Sequence, residues 1–99
     1  MRKIKEMVDQ INDEICDAKD YAEKYLDRKA NNDTFLANRY REMAMDELKH
    51  ADYLHENAVA EIEKLSQVFV TPVEMEEEWE KSHKAYVEKA AWVKTMLNM

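Results

Sequence analysis

Almost nothing in this chain can turn a backbone: its 99 residues contain no Gly and a single Pro. Ala, Glu, Lys, Leu and Met, all good helix formers, dominate instead, so an all-α fold of a few long helices is the default. From Ile4 the apolar positions Ile4, Val8, Ile11, Ile15, Ala18, Ala22 and Tyr25 step by four and three, the seam of a helix packed against others. The spacing predicts a first helix over about 2–29. The stretch ANNDT then interrupts it, because Asn and Asp offer the backbone competing local hydrogen bonds, and Asp33 or Thr34 is placed to cap a second helix. So short a link predicts an antiparallel helical hairpin.

The second seam runs Leu36, Tyr40, Met43, Glu47, His50, Leu54, Ala58, Ile62 and Leu65, predicting a helix over about 34–67. After SQVFV, the run Thr71-Pro72-Val73-Glu74 combines Pro at a first helical position with a Thr-x-x-Glu capping box. It opens a third helix over about 72–97, whose seam is Met75, Trp79, Tyr86, Ala90, Val93 and Leu97. No linker or low-complexity tail divides the chain, so residues 1–99 are expected to form one domain. A domain this short buries a modest part of its surface alone, and self-association would supply the missing core.

The formal charge of -7, with 22 acidic residues, opposes binding to phosphate backbones and anionic lipid surfaces. Neither nucleic acid nor membrane is expected as a partner. The N-terminal MRKIKEMVDQ mixes charge with apolar residues and lacks the apolar core of a secretory signal, so a cytoplasmic location is expected. Cys16 stands alone, without a partner for a disulfide or a Cys-x-x-Cys metal motif, and counts as an ordinary helix residue.

The anomaly lies in the second seam, where Glu47 and His50 take two consecutive positions that apolar residues hold on either side. A carboxylate pointing into a bundle needs a cation, either a basic side chain or a metal. At i, i+3 spacing the two side chains project from one helical face and can present a carboxylate and an imidazole to one ion. Glu14 lies beside the first seam near mid-helix. Folding the hairpin about residue 31 or so sets it level with Glu47 and His50, so three ligand-type side chains from one chain converge. A bundle-core binuclear centre uses a Glu from each of two helices and a Glu-x-x-His from each of the other two. One copy of each is expected per chain, and a homodimer would double the set, its carboxylates balancing two divalent cations.

Glu14 together with EMAMDELKHA around Glu47 and His50 resembles the ferritin-like superfamily, in particular the helical-hairpin halves of rubrerythrins and the short encapsulated ferritins. The resemblance covers roughly residues 4–65. It implies a ferritin-like four-helix bundle completed by dimerisation, in which Glu47 bridges two metals while Glu14 and His50 each complete the coordination of one. It further implies that Asp46 accepts a hydrogen bond from the opposing His and that Tyr21 contacts a metal-bound carboxylate. The rubredoxin-like cysteines of rubrerythrins are missing, and the final KTMLNM does not resemble an encapsulin-targeting peptide.

The implied activity is that of a ferroxidase, with Glu14, Glu47 and His50 as its catalytic and metal-binding residues. Two Fe ions per dimer would be oxidised by O2 or H2O2, for iron storage or detoxification. Manganese also suits the ligand set. The implied partners are a second copy, a higher homo-oligomer or an encapsulin-type shell around it. The alternatives are a di-iron or di-manganese peroxidase and, from another class, a metal-free helical assembly protein whose Glu and His pair with Lys and Arg. His55 and His83 fall outside the seam around His50 and are expected at the surface or an interface. The acidic run Glu74, Glu76, Glu77, Glu78 and Glu80 is explained by charge at a helix N-terminus, or by attraction of Fe2+.

Overall fold

The computed structural model describes residues 2–67 and 73–99, and the described residues are all-helical. Helix α1 spans Arg2–Ala30, α2 Thr34–Ser66 and α3 Val73–Leu97. The Thr71-Pro72 half of the expected capping box lies outside the described residues. The molecule is a rod of 55 × 18 × 17 Å.

A chain without glycine must close its hairpin another way. Asn32 takes the left-handed conformation at φ 59°, which Asn tolerates better than other residues carrying a Cβ. Around it the Asn32 amide donates to the Lys29 carbonyl and the Asp33 amide to the Arg28 carbonyl, so two of the last carbonyls of α1 are satisfied within the turn. Asp33 then caps α2, its carboxylate accepting from the Leu36 amide at 3.2 Å. The two helices run antiparallel, with the Lys3 ammonium reaching Glu61 at the far end at 3.0 Å.

The core between them is built largely of small side chains. Ile11, Ile15, Ala18, Ala22 and Tyr25 of α1 pack against Ala37, Ala44, Leu48, Ala51 and Ala58 of α2. Alanine at the contact lets helix axes approach closely, and the seam predicted for α1 agrees with this stripe apart from Val8, which is half-buried. The seam predicted for α2 agrees at Ala58, with Tyr40 and Leu54 partly buried, but the other buried positions, Ala37, Ala44, Leu48 and Ala51, lie one residue beyond the predicted Leu36, Met43, Glu47 and His50. The stepping of larger apolar residues pointed to a neighbouring face, because alanines contribute little to a hydrophobic pattern while packing best where two helices touch. Glu47 and His50 therefore sit on the flank of the hairpin seam and not within it.

Helix α3 covers the other flank of its own hairpin. Tyr86, Ala90, Val93, Met96 and Leu97 join the core, and Trp79 packs against it half-buried. Cations from both hairpin helices hold its C-terminal end, Arg41 Nε donating to the last helical carbonyl, Leu97 O, at 3.2 Å and Lys29 Nζ to Met99 O just beyond it at 2.6 Å, where the negative end of a helix dipole favours them. Among the described residues no helix is long and apolar enough to cross a membrane.

The packing makes opposite demands at adjacent positions. Ile15 and Ala51 are both fully buried. Ile15→Ala is expected to cost about 2–5 kcal/mol through the cavity it leaves, and Ala51→Leu about 1–3 kcal/mol by forcing the helices apart. Urea titrations at one chain concentration measure both, and a midpoint unchanged by Ala51→Leu would contradict a close α1–α2 contact.

Candidate metal centre

Glu14 reaches the centre from the middle of α1, and Glu47 and His50 from successive turns of α2. One ligand-type atom from each lies within 4.8 Å of the other two, the single such group of three or more among the described residues. His50 Nδ1 stands 3.8 Å from Glu14 Oε2 and 4.0 Å from Glu47 Oε1. Those separations exceed a hydrogen bond. They are a few tenths of an ångström wider than the roughly 3.0–3.6 Å between neighbouring donors on one cation at bond lengths of about 2.0–2.2 Å, a gap that side-chain rotation can close.

Burial grades across the centre. The side chains of Glu47 and Glu14 are 21% and 30% exposed, whereas that of His50 is 57% exposed. Glu14 Oε2 is itself buried and has no hydrogen-bond partner. An acceptor taken out of water and left unpaired costs about 1–3 kcal/mol or more when it carries charge, and no Lys or Arg reaches Glu14 among the ion pairs of the described residues. A cation held here would give that oxygen a partner. Donor chemistry of two carboxylates and one imidazole fits a divalent metal of the iron, manganese or zinc type.

The two outer partners implied by the resemblance are placed differently. Tyr21 stacks on Tyr40, ring centroids 6.3 Å apart, with the Lys24 ammonium 5.7 Å from each ring. It makes no hydrogen bond to a carboxylate among the described residues. Asp46 is exposed, beside neither Glu14 nor His50. The rim of the centre is open to solvent along Gln10, Asp13, Tyr53 and Leu54.

No protein-family model, no curated protein and no solved structure matches the chain. The centre therefore stands on its own residues.

A second constellation lies on the opposite flank. His55 of α2 and His83 of α3, expected at the surface or an interface, meet between the two helices with His55 Nε2 2.8 Å from His83 Nδ1. The rings of Trp79 and Tyr86 stack on His55 at centroid distances of 5.7 and 4.9 Å. The Tyr86 hydroxyl donates to Asp52. Burial, and then the hydrogen bond to Asp52 and the charges of Asp52 and Glu56, push the Tyr86 hydroxyl well above the usual tyrosine range. Burial and the neighbouring His83 lower the His55 pKa from its ordinary 6.5, against the pull of Asp52 and Glu56. His83 also ends a Glu-x-x-His, Glu80-Lys81-Ser82-His83. The expected single copy per chain holds for the hairpin alone, and α3 adds another. The signal for it is in the sequence, but only packing brings His83 to His55.

Two outcomes are expected. Glu14→Gln replaces the carboxylate whose buried Oε2 has no hydrogen-bond partner, so the apo chain should be as stable as wild type or slightly more so, while the melting-temperature rise on adding Fe2+ or Mn2+ should disappear. An unchanged metal-induced rise, followed by thermal unfolding under anaerobic conditions, would place the ion elsewhere. Because the folded chain holds the His55 pKa below 6.5, the unfolded chain takes up its proton first as pH falls, and stability should decline from about pH 6.5 downward. Urea midpoints measured at neutral and at mildly acidic pH test this, with the decline smaller in His55→Gln.

Proposed function

We propose that this chain is one half of a di-iron ferroxidase, completed by a second copy about a two-fold axis. The observation that carries the reading is the convergence of Glu14, Glu47 and His50 within 4.8 Å, with the buried Glu14 Oε2 left without a partner. In the paired form each chain contributes one Glu from α1 and one Glu-x-x-His from α2, the composition of a bundle-core binuclear site. The ferritin-like resemblance supplies the choice of iron, because the donor set alone admits manganese or zinc.

The flank that carries these ligands is the one α3 leaves bare, and its apolar side chains support association. Met43 and Tyr53 are 40% and 58% exposed, and Leu36, Tyr40 and Leu54 are half-buried beside them. Covering this face would remove apolar surface from water, enclose His50 and place a second ligand set against the first.

Fe2+ is the substrate. Two Fe2+ each give up one electron, so that O2 and two protons yield H2O2, or H2O2 and two protons yield two waters, with two Fe3+ as product in either case. The protein's part is geometric and electrostatic. Glu47 and Glu14 supply the negative charge that stabilises the higher oxidation state, His50 binds in its neutral form, and the closed interface excludes bulk water. The acidic run at the start of α3 raises the local concentration of Fe2+.

Anaerobic loading with Fe2+ should leave about one iron per chain, and exposure to O2 or H2O2 should then give rapid oxidation. Glu47→Ala is expected to lose both, and His50→Ala to lose at least about tenfold in metal affinity. Sedimentation equilibrium of the loaded protein should give a dimer or a multiple of one. No retained iron in wild type would overturn the reading, leaving a metal-free assembly protein, and steady peroxide turnover with a reductant would shift it to a peroxidase.

A further inference from the structure

Away from the Glu14–Glu47–His50 centre, the described residues bring one other pair of strong metal donors into contact. His55 Nε2 on α2 and His83 Nδ1 on α3 are 2.8 Å apart. Each imidazole follows a carboxylate by three residues on its own helix, Asp52 before His55 and Glu80 before His83, a spacing that sets both side chains on one helical face. The two imidazoles thus meet within a single chain, with Asp52 engaged by the Tyr86 hydroxyl and Glu80 exposed at the edge of the pair.

We propose that His55 and His83 form a second metal site, specific for a borderline-soft divalent transition metal such as Zn2+. His55 Nε2 and His83 Nδ1 are its ligands, with the Glu80 carboxylate and water in the remaining positions. Imidazole suits Zn2+, Ni2+ and Cu2+ better than the hard cations, which prefer all-oxygen ligation. Metal–nitrogen bonds of about 2.0–2.1 Å set two donor nitrogens about 3.0–3.4 Å apart, so the pair needs to open by roughly half an ångström, within the reach of side-chain rotation.

The proton balance is simple. One ring nitrogen of the hydrogen-bonded pair carries a proton and the other offers its lone pair. For both to bind, the donor ring shifts that proton to its other nitrogen, so binding requires a change of tautomer and no net proton release where both rings are neutral. Burial and the adjacent imidazole already favour the neutral form of His55, the form a metal requires. Trp79 and Tyr86 stack against the His55 ring and hold its plane, which reduces the ordering cost of binding. Asp52, held as acceptor of the Tyr86 hydroxyl, and Glu56 place negative charge beside His55. Glu80 is exposed and one turn from His83, free to swing toward an ion. A metal there would tie α3 to α2 through a bridge independent of the first centre.

The test uses the full chain carrying Glu47→Ala and His50→Ala, which lacks the first centre, titrated with Zn2+ at neutral pH. Equilibrium dialysis should give about one Zn2+ per chain, and adding His83→Gln should weaken binding at least about tenfold. Long-range proton–nitrogen spectra of the Glu47→Ala/His50→Ala protein should show His55 Nε2 and His83 Nδ1 shifting together, saturating at one equivalent. That readout changes neither histidine, so a folding defect in His83→Gln, visible by circular dichroism, would not protect the proposal. Absence of zinc binding, indifference to His83→Gln in a folded protein, or a shift in one imidazole alone would each overturn it.

Discussion

The α1–α2 contact through alanine governs everything else in this molecule. Ala18, Ala22, Ala44, Ala51 and Ala58 are fully enclosed, and with no longer side chain to hold the backbones apart, the two helices lie close along much of their length. Interiors packed to crystalline density tolerate no sliding of one surface over another. The register so imposed, together with the turn at Asn32, sets Glu14 level with Glu47 and His50. Without that register there would be three ordinary polar residues on two helices.

The same stripe divides the hairpin into two flanks with different chemistry. One is closed by α3 with aromatic rings, a histidine pair and C-terminal carbonyls held by Lys29 and Arg41. The other carries Glu14, Glu47 and His50 and stays open to solvent. Polar groups on the closed flank are largely matched to partners, as with Tyr86 and Asp52. On the open flank Glu14 Oε2 is buried and unmatched. Folded domains satisfy nearly all buried polar atoms, and the exception at this cluster of ligand-type side chains is what the proposed metal centre would account for.

Much of this is legible in the amino-acid order. The lack of glycine, the stepping Ile4 to Tyr25 and the interruption at ANNDT are sufficient for long helices and a tight first turn, and counting residues from that turn sets Glu14 opposite Glu47. The phase of α2 is not legible. Leucine, tyrosine and methionine dominate any hydrophobic pattern, so the predicted seam follows Leu36, Tyr40 and Met43, whereas contact distance favours the smaller Ala37, Ala44 and Ala51. His55 and His83 are invisible as a pair for another reason: they stand 28 residues apart on helices joined by a segment that carries no register. Only the docking of α3 decides which of its faces meets α2.

The placement of α3 also bears on how copies of the chain can combine. A hairpin with both flanks bare would offer two distinct sticky faces, and head-to-tail contacts between unlike faces grow without limit into fibres. Here one flank is already occupied by the chain's own third helix. In the proposed dimer the remaining flank would meet its twin, and such a self-complementary contact uses up both partners at once. For the dimer proposed above, the third helix would thus act as a terminator, because a contact confined to the one bare flank closes at a pair.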